Sequence, residues 1–186
     1  MGKCCISIWT ICIVIILTPV IVILSLSFVT HKPRLYIQDM YVPALKTTTG
    51  SSNATRLNTF IFIDLKLQNV MPFNGIRYGD LNLTFFYASN ASLPAVGNYT
   101  AAGFYQGLKK TAHRRVVVRT SGLPWDDAFV KISGGSVVDI RVELATTVKL
   151  RRCGRYLERE AMVVKANVRL DGSGEEVNKK TVRLVG

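Results

Sequence analysis

The sequence predicts an all-β domain, an antiparallel two-sheet sandwich with one short helix, carried on a single N-terminal transmembrane helix. Two patterns predict the sandwich. Apolar residues alternate with polar ones over long stretches, the period of a half-buried strand. Gly, Pro, Asn and Ser then punctuate those stretches at short intervals. A third observation sets the helix apart: residues 4 to 29 contain no charged side chain. At about 1.5 Å per helical residue, such a run crosses a hydrocarbon core of about 30 Å with some tilt.

Taken in order, residues 1-5 form a short cytosolic tail and 6-29 the transmembrane helix. The hydroxyls of Ser7, Thr10, Thr18, Ser25 and Ser27 can bond back to the helix's own carbonyls. Pro19 removes one amide donor and predicts a kink near the middle. A cleaved signal peptide is the rival, because Ser25, Leu26 and Ser27 make a small-x-small pattern. The apolar run exceeds the usual signal core of about 7 to 15 residues, and only Lys3 precedes it, so retention is expected. Cys4 and Cys5 fall where the span meets cytosol and are candidate sites of reversible palmitoylation; ordinary thiols fit there equally well. Cys153, alone beyond the anchor, fits a buried small hydrophobe or a site of pairing with another chain.

Residues 30-58 form a juxtamembrane segment with a first strand, Leu35 to Tyr41, and a polar loop, Lys46 to Asn58. The core of the sandwich spans 59-170. In it Ile61, Ile63, Leu65 and Leu67 alternate with Phe62, Asp64, Lys66 and Gln68. Val138, Ile140, Val142 and Leu144, continuing to Val148 and Leu150, alternate with Asp139, Arg141, Glu143, Lys149 and Arg151. Met162, Val164, Ala166, Val168 and Leu170 repeat the pattern. Shorter candidates at Gly79 to Ala88, Ala112 to Thr120 and Lys180 to Val185 bring the total to about seven strands. Pro124 to Ile132 reads as helix, with Trp125, Phe129 and Ile132 on one face and Gly134 just beyond, and it should close one end of the sandwich. Asp171-Gly172-Ser173-Gly174 has turn chemistry, so residues 171-186 are expected as a C-terminal hairpin and last strand.

Four acceptor motifs for N-linked sugar start at Asn53, Asn82, Asn90 and Asn98, four of nine asparagines, where chance would supply about one. All follow the apolar run. They place the domain on the non-cytosolic side, against the basic-residue asymmetry of Lys32 and Arg34 over Lys3. Thr181 to Gly186 lack the apolar tail of a glycolipid-anchored precursor. Of 24 Lys and Arg against 12 Asp and Glu, only Lys3 precedes the span, so the excess of positive charge lies in the domain. Lys109, Lys110, Arg114, Arg115, Arg151 and Arg152 are the candidate contacts for a polyanion. Outside the cytosol that means acidic polysaccharide or lipid head groups rather than nucleic acid; solvated strand faces account for the charge equally well. No catalytic, metal or cofactor site is expected. The two histidines lack ligand spacing, and no nucleophile elbow, zinc-protease helix or phosphate-binding loop occurs.

Leu65-Lys66-Leu67-Gln68-Asn69, Asn74-Gly75-Ile76-Arg77-Tyr78-Gly79-Asp80, Phe86-Tyr87 and Phe104-Tyr105-Gln106-Gly107 follow the N-terminal span in that order. With them the chain, from the anchor to about residue 170, resembles the plant harpin-induced and non-race-specific disease resistance-like membrane proteins, which carry a late embryogenesis abundant group 2 domain. The resemblance implies a fibronectin/immunoglobulin-like β-sandwich on a single-pass plasma-membrane protein, linked to pathogen defence and stress, with no catalytic residues. The sequence departs from the family's compact Asn-Pro-Asn turn, because Val70, Met71 and Phe73 space out Asn69, Pro72 and Asn74. It also lacks the Asn-Gly-Asp tripeptide of some members, since Ile76 follows Asn74-Gly75.

The expected function is therefore a non-enzymatic membrane glycoprotein whose extracellular sandwich contacts cell-wall polysaccharide, anionic lipid or a receptor protein. Two alternatives carry different consequences. A membrane-tethered lipid-binding or lipid-transfer domain would show an apolar cleft between the sheets, and an oligomeric scaffold would associate through its helix and Cys153.

Overall fold

The computed structural model describes residues 2–28, 31–47, 59–87, 95–121, 125–152, 154–177 and 181–186. Helix α1 (Gly2–Phe28) is followed by β1 (Arg34–Tyr41), a 3-10 turn at Pro43–Leu45, β2 (Phe60–Gln68), β3 (Gly75–Tyr78), β4 (Leu81–Tyr87) and β5 (Ala95–Ala101). Then come β6 (Tyr105–Gln106), β7 (Thr111–Arg119), α2 (Trp125–Ser133), β8 (Val138–Arg152), β9 (Arg155–Leu170) and β10 (Val182–Arg183).

The strands form two antiparallel sheets. One has the order β10-β1-β2-β7; the other runs β5-β4-β8-β3-β6, with β9 on the second edge of β8. The long strand β8 organises the second sheet. Its first half pairs with β4, as in Phe85 opposite Val142, its last residues pair with β3, as in Arg77 opposite Lys149, and β9 accompanies its whole length. The alternation read from sequence is the alternation of burial. Ile61, Ile63, Leu65 and Leu67 from β2 meet Leu81, Leu83 and Phe85 from β4 and Val138 to Leu144 from β8 in one buried cluster. Each such side chain contributes about 1.5–3 kcal/mol by leaving water.

The two sheets are joined at their edges. Leu184 donates its amide to the Leu35 carbonyl at 3.0 Å, while Val185 exchanges two backbone bonds with Lys165 of β9, at 2.9 and 2.8 Å. The C-terminal residues thus stitch the first sheet to the second. On the opposite side Ser121, just past β7, donates to the Val96 carbonyl of β5 at 2.7 Å.

Helix α2 closes one end by burying Ala128 and Ile132, and it packs on the 3-10 turn. It ends at Ser133, directly before Gly134 as the sequence predicts. Gly135, not Gly134, takes the left-handed conformation, at φ 80°, and Ser136 and Gly135 donate back to Lys131 and Ile132, a Schellman cap. The side chain of Trp125 lies outside the described residues.

Among the described residues ten strands form where the sequence predicts about seven. β3, β5 and β6 lie outside the expected set, because β3 and β6 are too short to show a period and β5 buries the adjacent Val96 and Gly97 with no alternation. β9 starts at Arg155 rather than Met162, since its first residues are solvent-exposed and carry no apolar period. β10 is two residues long, shorter than the expected Lys180 to Val185. The Asp171 turn closes with Gly174 donating to the Asp171 carbonyl at 2.9 Å, and Glu176 then bridges back to Leu170.

In α1, side chains are described from Trp9 to Ser25, and all of them are exposed. Helix continues through Pro19. Thr18 and Ser25 donate back to the Val14 and Ile21 carbonyls at 2.7 and 2.8 Å. Among the described residues no helix is long and apolar enough to cross a membrane.

Candidate functional site

Of the residues that carry the family resemblance, Asn69, Asn74, Tyr78, Phe104 and Gln106 meet at one end of the domain, whereas Phe86 and Tyr87 lie toward the other, with Tyr87 opposite Ile140 and under Lys131 of α2. Asn69, at the end of β2, is 1% exposed. Its Nδ2 donates to the carbonyls of Asn74 and Gly107, both at 2.9 Å, and its Oδ1 accepts the Met71 amide at 2.9 Å. One side chain therefore closes the 69–74 turn and ties it to the loop before β7. Buried Gln106 does the same one strand away. Its Nε2 donates to the Leu67 and Lys110 carbonyls at 2.9 and 2.8 Å, and its Oε1 accepts the Tyr78 hydroxyl at 3.1 Å.

Burial pushes the Tyr78 phenol well above the usual tyrosine range, and the ring stacks on Phe104 at 5.1 Å between centroids. Gly103 is required by close approach, since a Cβ there would lie 2.5 Å from the Tyr78 carbonyl oxygen. These motif residues are a buried polar brace, with their hydrogen-bonding capacity turned inward. Among the described residues the left-handed positions are Lys109, Gly135, Gly154 and Gly174, so the 69–74 turn is held by side-chain bonds rather than by a positive φ.

The brace carries cations on its outside. Lys109 and Lys110 are exposed on the loop between β6 and β7. Arg114 lies over the Phe104 ring at 4.4 Å, whereas its neighbour Arg115 points to the other face and meets Asp64 at 3.3 Å, where His113 also approaches at 3.6 Å. Arg151 sits between the rings of Tyr105 and Tyr156, at 5.7 and 5.9 Å. Half-buried Arg152 donates from Nε to the Asn74 Oδ1 at 3.4 Å. The six predicted contacts are therefore not one surface: Arg115 is engaged by an acid on β2, and the other five surround the brace.

Sequence reasoning missed Arg77, whereas Lys149 and Arg159 bound one of the two basic clusters visible in the sequence. Arg77 pairs with Lys149 and Lys149 with Arg159, so three exposed cations stand side by side on one face, with Tyr105 next in the row. Like charges directly opposite are destabilising. Arg77 gains these neighbours through the pairing of β3 with β8, which a four-residue strand does not announce in sequence.

Asn82 and Asn98 are both exposed, on the paired strands β4 and β5. Their sequons face each other in register, Asn82 opposite Thr100 and Thr84 opposite Asn98, with the Thr100 hydroxyl donating to Asn82 Oδ1 at 3.0 Å. Asn53, Asn90 and Cys153 lie outside the described residues, as do the side chains of Cys4 and Cys5. Among the described residues no group of three His, Cys, Asp or Glu could hold a metal ion. A cavity of about 260 Å³ opens between Pro33 and the Val148, Leu150 and Met162 side chains, somewhat below the ~300–1,000 Å³ of usual small-molecule sites.

Glu176, at the opposite end, is 6% exposed and its Oε2 has no hydrogen-bond partner among the described residues. Burial foremost, then the Asp39 charge, holds its carboxyl above the usual glutamate range. A raised carboxyl binds its proton more tightly folded than unfolded. Its contribution to stability is therefore full below the unfolded value and lost as pH rises through the folded one. Glu176→Gln should remove that loss, so that the unfolding midpoint of the variant overtakes wild type as pH climbs above the ordinary glutamate range. Parallel midpoint profiles for the two proteins would contradict it.

The architecture and the brace define an antiparallel β domain whose shared motifs are structural and whose outer surface is cationic. The chain is 31% identical over 169 residues to Protein NDR1 of Arabidopsis thaliana, the match covering 87% of this chain and 73% of that protein. The chain belongs to the NDR1-like family. No family model matches it, so the late embryogenesis abundant group 2 assignment has no match. A crystal structure of a protein from Archaeoglobus fulgidus is 12% identical, covers 74% of this chain and 94% of that one, and has a TM-score of 0.33, too distant to carry an argument.

Proposed function

We propose that this protein is a non-enzymatic, single-pass plasma-membrane glycoprotein of the plant cell surface that supports defence or stress responses through a basic extracellular β-sandwich of the fibronectin/immunoglobulin-like, late embryogenesis abundant group 2 kind. Its NDR1-like kinship supports the defence setting. The observation that carries the anchor is the circumference of α1. Ile13, Val14, Ile15, Ile16 and Leu17 follow one another and are all exposed, so the helix has no polar face to turn to water. Its 27 residues extend about 40 Å at the α-helical rise, and Lys3 is its one charge. Thr18 and Ser25 satisfy their hydroxyls within the helix, as lipid requires. Cys4 and Cys5 then lie at the cytosolic end, within reach of palmitoylation.

The sequons set the side. Glycosidase treatment of the expressed chain should raise its mobility, and Asn53→Gln, Asn82→Gln, Asn90→Gln and Asn98→Gln should each remove one step of that shift where the site is occupied. External protease should digest the domain on intact cells. A chain indifferent to glycosidase and protected until permeabilisation would reverse the topology.

A further inference from the structure

We infer that the end of the sandwich nearest the anchor is a second membrane contact, a cationic and aromatic pole that rests on, and partly enters, the head-group layer of the anionic bilayer holding α1. The inference rests on the anchored reading above. Connectivity places this pole. β1 begins at Arg34, which pairs with Gln68, and Gln68 pairs with Thr111. The 69–74 turn and the 107–110 loop are bonded to each other there, Asn69 to the Lys110 carbonyl at 2.9 Å and Lys109 to the Met71 carbonyl at 3.2 Å. The tip of the β8–β9 hairpin joins them through Arg152 and Asn74. Residues 29–33, even fully extended, span roughly 18 Å. The pole is held close to wherever α1 ends.

Its chemistry is that of an interfacial surface. Phe73, Tyr105, Leu108, Tyr156 and Leu157 are all exposed here, Tyr105 at 48% and Leu108 at 46%. They alternate with Lys109, Lys110, Arg151, Arg155 and Arg159, for none of which a carboxylate among the described residues forms an ion pair. Lys109 adopts a left-handed backbone, φ 50°, unfavourable for a residue with a side chain, at the loop tip where Leu108 is presented outward. The far end is different. Asp39, Asp127, Asp171, Glu175 and Glu176 lie around α2 and the Asp171 turn, and Asp139 pairs with Arg169. The charge distribution is therefore polar along the long axis, positive toward the anchor.

Lysine and arginine draw to anionic head groups over about 10 Å at 0.1 M salt, while aromatic and leucine side chains settle at the boundary of the acyl region. With the tether this short, both effects act on the same loops. They fix the orientation of the domain as well as its distance.

The test uses the full chain in nanodiscs of phosphatidylcholine, alone or with phosphatidylserine, followed by amide hydrogen exchange. Anionic discs should slow exchange in 69–74, 105–110 and 151–159 by about tenfold relative to neutral ones, leave α2 and the Asp171 turn unchanged, and lose the effect at high salt. Lys109→Glu with Lys110→Glu, and separately Leu108→Asp, should abolish the slowing while the protein stays in the disc and its core amides exchange as in wild type. Equal exchange in both kinds of disc would overturn the inference. So would slowing by soluble polygalacturonate without any effect of phosphatidylserine, which would assign the pole to acidic polysaccharide. A chain that escapes neutral discs yet binds phosphatidylserine vesicles in a salt-sensitive way would sink the anchor and keep the pole.

Discussion

Phe85→Ala should destabilise the domain by about 3–5 kcal/mol, the range for removing a fully enclosed aromatic side chain from a packed core. Phe85 is 0% exposed and sits opposite Val142 near the middle of the second sheet, with β5 on its other side at Gly97. Its loss leaves a void between two sheets that cannot close without disturbing the pairing of β4 with β5 and β8. Phe85→Leu, which fills most of that space, should cost about 1–2 kcal/mol. Denaturant unfolding of the purified chain reads both. Against a typical domain stability of about 5–15 kcal/mol, the alanine variant should shift the midpoint far down or fail to accumulate. A loss below about 1 kcal/mol would mean that the two sheets do not share the core described above.

Asn69→Ala should cost about 3 kcal/mol or more, although it removes little apolar surface. The reason is what it strands: the Asn74 and Gly107 carbonyls and the Met71 amide, all bonded to this one side chain. Each buried group left unmatched costs about 1–3 kcal/mol. Asn69→Asp keeps the acceptor for Met71 but turns an anion toward two carbonyl oxygens, so it should be at least as damaging. Hydrogen exchange should show the harm spreading from 69–74 into 107–110, because the same residue ties both. Were Asn69→Ala to unfold at the wild-type midpoint, the brace would be ornamental and the motif would need another explanation.

The parts of the fold legible in sequence are those with one wet face and one dry face. In β2 and β8 the partition of each side chain between core and solvent is decided by its own polarity, so Ile61 to Leu67 and Val138 to Leu144 announce both strand and orientation. β5 and the start of β9 could not be read that way. Gly97 in β5 is buried by the neighbouring edge of β7, and Arg155 to Glu160 extend past the core altogether, so neither segment has a polarity pattern to show. The exposed sequon asparagine on β4 was legible, since Asn82 alternates with buried Leu81 and Leu83. Its face-to-face pairing with the Asn98 sequon was not, because register is a tertiary fact.

The candidate site divides along the same line. Clusters of Lys and Arg are visible as composition, and five of the six chosen cations do surround the brace. What sequence cannot weigh is a partner brought from elsewhere in the chain, as Asp64 is brought to Arg115. Asn69 and Gln106 present the converse case. Their motifs stand out, yet a polar side chain in a turn reads as surface until the carbonyls it serves, some of them nearly forty residues away, are known.

The seam made by Leu184 and Val185 has a bearing on biogenesis. β1 is among the earliest parts of the domain to leave the ribosome, and its outer edge stays bare until residues 182–186 have been made; the free flank of β9 waits for the same few residues. Zipping of local hairpins such as β8 with β9 can begin sooner, but sealing requires ends separated by almost the whole domain, a slow, high-contact-order step. Newborn molecules thus spend that interval with two unsatisfied strand borders, the state in which a chaperone would find most to hold and neighbouring copies most to stick to.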